Sequence, residues 1–137
     1  MVMEPRIQVE QAAIRRGSTR GRWIVAWRIQ NLSSEPLEIL AGRLPHGKFR
    51  GDETELVPAR KIAHGETIRL ELSVACHEPP GAEVENAFLI LRVVWCNRPW
   101  RILVRLRVKV GAGGEPESLT ELVTTQEIGF SQQKEEG

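Results

Sequence analysis

The chain has 137 residues, 27% of which are charged, and a formal net charge of +1 at pH 7. This length predicts one domain that can bury a hydrophobic core, and the composition is that of an ordinary globular protein. No segment approaches the roughly 18 apolar residues of a membrane-spanning helix, and residues 1–15 lack the apolar run of an export signal. The sequence therefore predicts a cytoplasmic protein without a membrane span.

The small net charge hides a gradient along the chain. Residues 1–110 carry 18 Lys/Arg and 12 Asp/Glu, whereas residues 111–137 carry one Lys and six Glu. A basic body followed by an acidic tail indicates either that the tail covers the basic surface of its own chain or that the chain binds a charged partner. The charges alone do not distinguish between the two.

Alternating apolar residues predict three strands in the first third of the chain, over residues 6–15, 22–30 and 37–44. In the first strand the apolar positions change parity after Val9, which indicates a bulge or the end of regular pairing. In the second strand one face is predicted to enter the core, because two large indole groups gain most by burial. This face consists of Trp23, Val25, Trp27 and Ile29.

Residues 45–52 (PHGKFRGD) are predicted to form the most irregular surface segment before the tail, since one proline and two glycines interrupt strand pairing. Loops on a rigid scaffold often carry function, so His46, Phe49 and Arg50 are candidate contact residues. The alternative is a plain connection with Phe49 tucked beneath it. The Arg-Gly-Asp tripeptide in this segment matches an adhesion motif, but three residues recur by chance.

Residues 66–76 show the cleanest alternation of apolar and polar side chains. One dry face and one wet face are typical of an antiparallel strand in a sandwich. The inward positions are Ile68, Leu70, Leu72, Val74 and Cys76. With turn residues at roughly ten-residue spacing, the pattern predicts an all-β domain over residues 1–114, an antiparallel β-sandwich of about seven strands.

The order of long and short strands resembles that of bacterial immunoglobulin-like domains, as do Asn31, residues 36–39 (PLEI) and residues 65–70 (GETIRL). The resemblance covers about residues 5–110 and implies an immunoglobulin-like β-sandwich. The chain lacks a cysteine pair on the second and sixth strands with a core Trp between them. The resemblance therefore implies an architecture and assigns no functional residue.

Residues 87–110 (AFLILRVVWCNRPWRILVRLRVKV) carry the strongest structural signal, two β-rich runs joined by a Cys-Asn-Arg-Pro turn. With Asn97 and Arg98 at the tip of a hairpin, Trp95 faces Trp100, and the apolar face that they share is predicted to be core. The two Trp side chains are interpreted as a core plug or end cap, with stacking on a ligand as the alternative.

The opposite face of this hairpin mixes apolar and cationic side chains. A solvated face rarely carries several large apolar groups in one patch, and a buried face rarely carries unpaired cations. We therefore predict that something both apolar and acidic covers it. The candidate partner-binding residues are Phe88, Ile90, Arg92, Arg101, Leu103, Arg105 and Arg107.

The acidic tail, residues 115–137, fits that description, because it interleaves glutamates with apolar residues. Ser118 and Glu121 have the spacing of a capping box, which predicts a short helix. The β-branched residues 123–125 favour a short strand within residues 122–128 instead. We expect the tail to pack across the mixed face, in its own subunit or in a neighbour, and not to form a separate domain.

No catalytic residue, cofactor, metal site or small-molecule substrate is predicted, so the chain does not read as an enzyme. The three histidines fall in separate loops, and no HxH, CxxC or HExxH spacing and no glycine-rich phosphate loop occurs. Cys76 and Cys96 end successive strands at opposite poles of a sheet, which is too far for a disulfide, and are predicted to be free thiols.

Two functions remain as expectations. The first is a non-catalytic interaction module that binds a protein, or itself, through the mixed face, residues 45–52 and the tail. The alternative is a nucleic-acid-binding domain that uses the arginine stripe of the last hairpin. A further cationic cluster surrounds the first turn and consists of Arg15, Arg16, Arg20 and Arg22. The near-zero net charge and the acidic tail weigh against the alternative.

Overall fold

A computed structural model describes residues 3–129, which form eight β-strands and no helix. The strands are β1 (Ile7–Arg16), β2 (Arg22–Asn31), β3 (Leu37–His46), β4 (Phe49–Ile62), β5 (Thr67–Ala75), β6 (Glu83–Trp95), β7 (Arg98–Val110) and β8 (Pro116–Glu127). All pair antiparallel in one sheet of order β1-β2-β5-β4-β3-β6-β7-β8. The all-β prediction is confirmed.

The sheet curls until its two outer strands, β1 and β8, meet, so the shape is nearly closed and barrel-like. Side chains join these strands: the Thr120 hydroxyl donates to the Val9 carbonyl at 2.8 Å, and the Ser118 hydroxyl donates to Oε1 of Gln11 at 2.6 Å. The sheet is also weakly joined between β4 and β5, which pair only through Arg50 and Ala75. Eight strands in a nearly closed sheet differ from the seven-strand sandwich that was predicted.

The inner sides of the strands enclose one hydrophobic core. The predicted inward residues of β2 are at most 5% exposed, and those of β5, together with Cys76 just beyond it, are at most 8% exposed. The change of parity in the first strand is a bulge between Gln11 and Ala13. It places Arg16 opposite Trp23 at the end of the β1–β2 pair.

The prediction of an irregular loop at residues 45–52 is wrong. These residues form the β3–β4 hairpin, with Gly47 and Lys48 between the paired residues His46 and Phe49. Phe49 is fully buried, and its ring meets that of Trp27 edge to face with centroids 6.3 Å apart. Phe49 is therefore a core residue, as the interpretation with Phe49 tucked beneath a connection predicted, and not a surface contact, because its position in β4 turns the ring inward.

The β6–β7 hairpin has a turn different from the predicted one. Cys96 and Asn97 form the tip with φ of 52° and 60°, and Trp95 pairs with Arg98. Positive φ at both central residues is the condition for a type I′ turn, whose twist matches that of the strands. The register is shifted by two residues from the predicted one, and an even shift keeps every side chain on its predicted face.

The Trp95 and Trp100 side chains both lie in the core, at 5% and 8% exposure. Their rings are in edge-to-face contact, with centroids 6.1 Å apart. Val93, and not Trp95, is directly opposite Trp100, so the two indoles are diagonal neighbours.

Candidate functional site

The outer sides of β6, β7 and β8 form one continuous surface, here named the arginine face. Its rows follow the strand register: Phe88–Arg105–Leu122, Ile90–Leu103–Thr124 and Arg92–Arg101–Gln126. Arg107 extends it next to Leu119 of β8. The structure thus brings together all seven residues that were predicted for this face.

Apolar side chains occupy the middle of the arginine face. Phe88, Ile90 and Leu103 are half-buried. On the adjoining strand, Leu119 and Leu122 are 65% and 47% exposed. The rows place Leu122 beside Arg105 and Ile90 beside Leu103, so apolar groups surround the Arg105 side chain on neighbouring positions.

A bulge in β8 directs Glu121 towards two arginines of β7. The register shifts between Arg105 and Leu106, which leaves Glu121 as the extra residue on β8. Its carboxylate lies 3.0 Å from Nε of Arg107 and 3.7 Å from Nε of Arg105. The hydrogen bond to Glu121 and its charge, together with the charges of Glu85 and Glu83, raise the pKa of the Arg107 guanidinium above its ordinary value.

Arg92 pairs with carboxylates from a different part of the sheet. Its Nη2 lies 3.1 Å from Glu55 and 3.8 Å from Glu53, both on β4. Arg101 donates to Oε1 of Gln126 at 3.4 Å and has no carboxylate within 4 Å among residues 3–129. Three of the four arginines on this face are therefore neutralised within the chain.

The prediction that the tail packs across this face is wrong for residues 116–127. They form β8, which pairs with the edge of β7 and extends the sheet sideways. An unpaired edge of β7 would leave its backbone N–H and C=O groups without partners. Pairing of the tail with this edge is therefore favoured over packing of the tail across the arginine face. Phe130 and the other residues from 130 to 137 lie outside the described part of the chain.

The loop candidates are not part of this surface. His46 is half-buried and its Nδ1 accepts a hydrogen bond from the Lys48 N–H at 3.1 Å. Arg50 is exposed, lies 3.5 Å from Asp52 and pairs in the sheet with β5. Both belong to the β3–β4 hairpin, on the side of β3 away from β7 and β8.

Sequence reasoning missed two groups of residues in this surface. Leu119 and Leu122 were predicted to cover the face, whereas they form part of it. Glu53 and Glu55 were not associated with it, because nothing local indicates that β4 and β6 are both neighbours of β3. The alternation of apolar residues and glutamates in the tail was the available signal for β8, and the bulge at Glu121 obscures its period.

Other reactive groups are dispersed. Cys76 is buried and Cys96 is exposed, and both are free. Within residues 3–129, no group of three or more His, Cys, Asp or Glu side chains is placed to hold a metal ion. The same residues include no helix with the length and apolarity needed to cross a membrane.

Comparison with known proteins finds no protein-family model and no curated protein that matches this chain.

Proposed function

We propose that the protein is a non-catalytic interaction module that binds a protein partner, or a second copy of itself, through the arginine face. The exposure of Leu119 and Leu122 carries this proposal, because these leucines adjoin the half-buried Phe88, Ile90 and Leu103. Several large apolar side chains in one open patch mark interaction surfaces more often than solvated ones.

The arrangement of charges supports the same function. Interfaces commonly have an apolar centre and a polar rim, and arginine is enriched in them. Arg92 and Arg107 are hydrogen-bonded to carboxylates of the same chain before any partner arrives, and Arg105 lies 3.7 Å from the Glu121 carboxylate. Side chains that are already ordered lose less conformational entropy on binding, so the face is prepared for a partner.

We further propose that the architecture is immunoglobulin-like. In the sheet order, β1-β2-β5-β4 is followed by β3-β6-β7. This corresponds to the ABED and CFG sheets of immunoglobulin constant domains, with β8 added beside β7. The single residue pair between β4 and β5 supports a partial division into two sheets, although that division falls one strand earlier than in the constant domain.

The ion pairs weaken the alternative of a nucleic-acid surface. A phosphate backbone would have to displace Glu121 from Arg105 and Arg107, and Glu55 from Arg92. Only Arg101 on this face lacks a carboxylate partner within residues 3–129. A protein partner can use the apolar centre without breaking these pairs.

The test compares the full chain with the double variant Leu119→Ser/Leu122→Ser. Light scattering after size exclusion and native mass spectrometry measure self-association over a range of concentrations. Affinity capture from a lysate of the source organism then measures binding to another protein. We expect association that the double variant loses, because both substitutions remove exposed apolar area from the face and leave the backbone pairing of β8 intact.

Val57→Ser is the matched control, because Val57 is also apolar, is 89% exposed and lies on β4 outside the arginine face. It should keep full association. The proposal is contradicted if the wild-type chain is a monomer with no captured protein, or if the double variant and Val57→Ser behave alike.

A further inference from the structure

A cleft of about 430 Å³ opens at one end of the sheet. Three connections meet there: the turn between β1 and β2, the segment between β5 and β6, and the glycine-rich turn between β7 and β8. Its volume is within the range of small-molecule sites. It contains part of the cationic cluster that the sequence shows around the first turn.

Two arginines line the cleft without acidic partners. Arg16 and Arg20 are both exposed, and neither has a carboxylate within 4 Å among residues 3–129. The Arg16 guanidinium lies over the Trp23 ring, 5.1 Å from its centroid, and donates to the Gly113 carbonyl at 3.4 Å. Stacking on the indole and this hydrogen bond restrict the guanidinium, yet leave other N–H groups free to donate.

The opposite wall is formed by the segment that follows β5. His77 packs so closely on Gly21 that a Cβ at that position would clash with the imidazole. Pro79 and Pro80 restrict the backbone next to it. Glu78 also lines this wall, and its negative charge is opposite to that of the two arginines.

A buried polar group adjoins the cleft. Trp23 is 5% exposed, and its Nε1 has no hydrogen-bond partner within residues 3–129, as is also true of the Nε1 atoms of the other three tryptophans. The indole atom nearest to a Cβ built on Gly114 is Cζ2, at 3.9 Å, and Gly114 lines the cleft. Cζ2 and Nε1 are bonded to the same ring carbon, so the unpaired N–H lies on the edge of the indole next to the glycine turn. This nitrogen has almost no accessible surface, so it borders the cleft without opening into it.

We propose that this cleft binds a small organic oxyanion, with its carboxylate or phosphate group held by Arg16 and Arg20. The arginine fork matches the geometry of both oxyanions, which can accept two parallel hydrogen bonds from one guanidinium. The rest of the cleft accommodates the organic part of the ligand between Trp23 and the wall of Pro79 and Pro80. None of the residues of the arginine face lines this cleft.

The test uses the ¹⁵N-labelled full chain and two probes, pyrophosphate for phosphate chemistry and citrate for carboxylate chemistry. Each is titrated at constant ionic strength against a sodium chloride reference. We expect saturable shifts of the Trp23 indole N–H and of the backbone amides of Gly113 and His77 with at least one probe. The probe that binds identifies the oxyanion.

Variants then distinguish the cleft from the general positive charge at this end of the sheet. Arg16→Gln and Arg20→Gln each remove one charged donor and should weaken binding about tenfold. Arg22→Gln removes the same charge from a neighbouring exposed residue that does not line the cleft, and should change affinity less than about twofold. No saturable shift with either probe, or equal weakening by Arg22→Gln, would overturn the proposal.

Discussion

Arg92 and Glu55 form an ion pair across an intervening strand, with 3.1 Å between Nη2 and Oε1. Ala41 of β3 lies between them, opposite Arg92 on one side and Glu55 on the other. The pair spans its short side chain, which is fully buried. Arg101 lies directly opposite Arg92 on β7, so Glu55 also offsets the repulsion between two arginines.

The substitution Glu55→Gln should therefore leave the repulsion between Arg92 and Arg101 without this offset. We expect a loss of about 0.5 kcal/mol in the free energy of unfolding at low salt, since the pair is largely exposed. The loss should shrink in high salt, which screens Arg92 from Arg101. Urea denaturation at low and high NaCl measures both effects. Glu35→Gln is the control, because Glu35 has no ion pair within residues 3–129, and an equal salt response in the two variants would contradict the prediction.

The buried ring of Phe49 should matter far more to stability than its neighbours in the same hairpin. Phe49→Ala removes the edge-to-face contact with Trp27 and leaves a cavity in the core, so we expect a loss of about 4 kcal/mol. His46→Ala should cost less than about 1 kcal/mol, since it loses one hydrogen bond at the surface. Chemical denaturation of both variants measures the difference. A stable Phe49→Ala protein that fails to bind a partner would restore Phe49 as a contact residue.

Burial should make stability depend on the Cys76 thiol at alkaline pH. Burial, and less strongly the charge of Glu78, raise the pKa of Cys76 above its ordinary value of 9.0, although a hydrogen bond with the Glu78 backbone lowers it. The unfolded chain then loses this proton at a lower pH than the folded chain, so the folded state binds more protons between the two pKa values. Stability should fall as pH rises above about 9.

Cys76→Ala should reduce this alkaline loss, whereas Cys96→Ala should retain it because Cys96 is exposed. Unfolding free energies across the alkaline range provide the measurement. In the native wild type, a thiol reagent should label Cys96 and spare Cys76. Equal labelling rates for the two thiols would show that Cys76 is not buried in solution.

The turn at Cys96 should respond to residues that tolerate positive φ. Cys96→Asn suits the first central position of a type I′ turn and should stabilise the protein by about 0.5 kcal/mol. Cys96→Val should cost about 1 kcal/mol, because a β-branched residue is strained in the left-handed region. Thermal unfolding of both variants tests the turn, and a similar melting temperature for the two would favour the register with Asn97 and Arg98 at the tip.

In β2, β5 and the β6–β7 hairpin, the side-chain pattern by itself determined which residues enter the core. Residues of a strand point alternately to its two faces, so alternation in β2, β5 and the β6–β7 hairpin identified the buried set without knowledge of the strand neighbours. The same property explains the error in register. A shift of two residues keeps the faces unchanged, and the choice between Cys96–Asn97 and Asn97–Arg98 as the tip depends on backbone twist, to which the apolar pattern is insensitive.

Only the tertiary structure decided what surrounds the arginines. Arg92 meets Glu55 because β3 lies between β6 and β4, and Glu121 meets Arg107 because β8 has a bulge opposite β7. These contacts join residues far apart in the chain, and the strand order that creates them depends on the closure of the whole sheet. The position of the tail also depended on the tertiary structure. Its composition matched the arginine face, but residues 116–127 pair with the edge of β7 instead, since the backbone groups of that edge require hydrogen bonds.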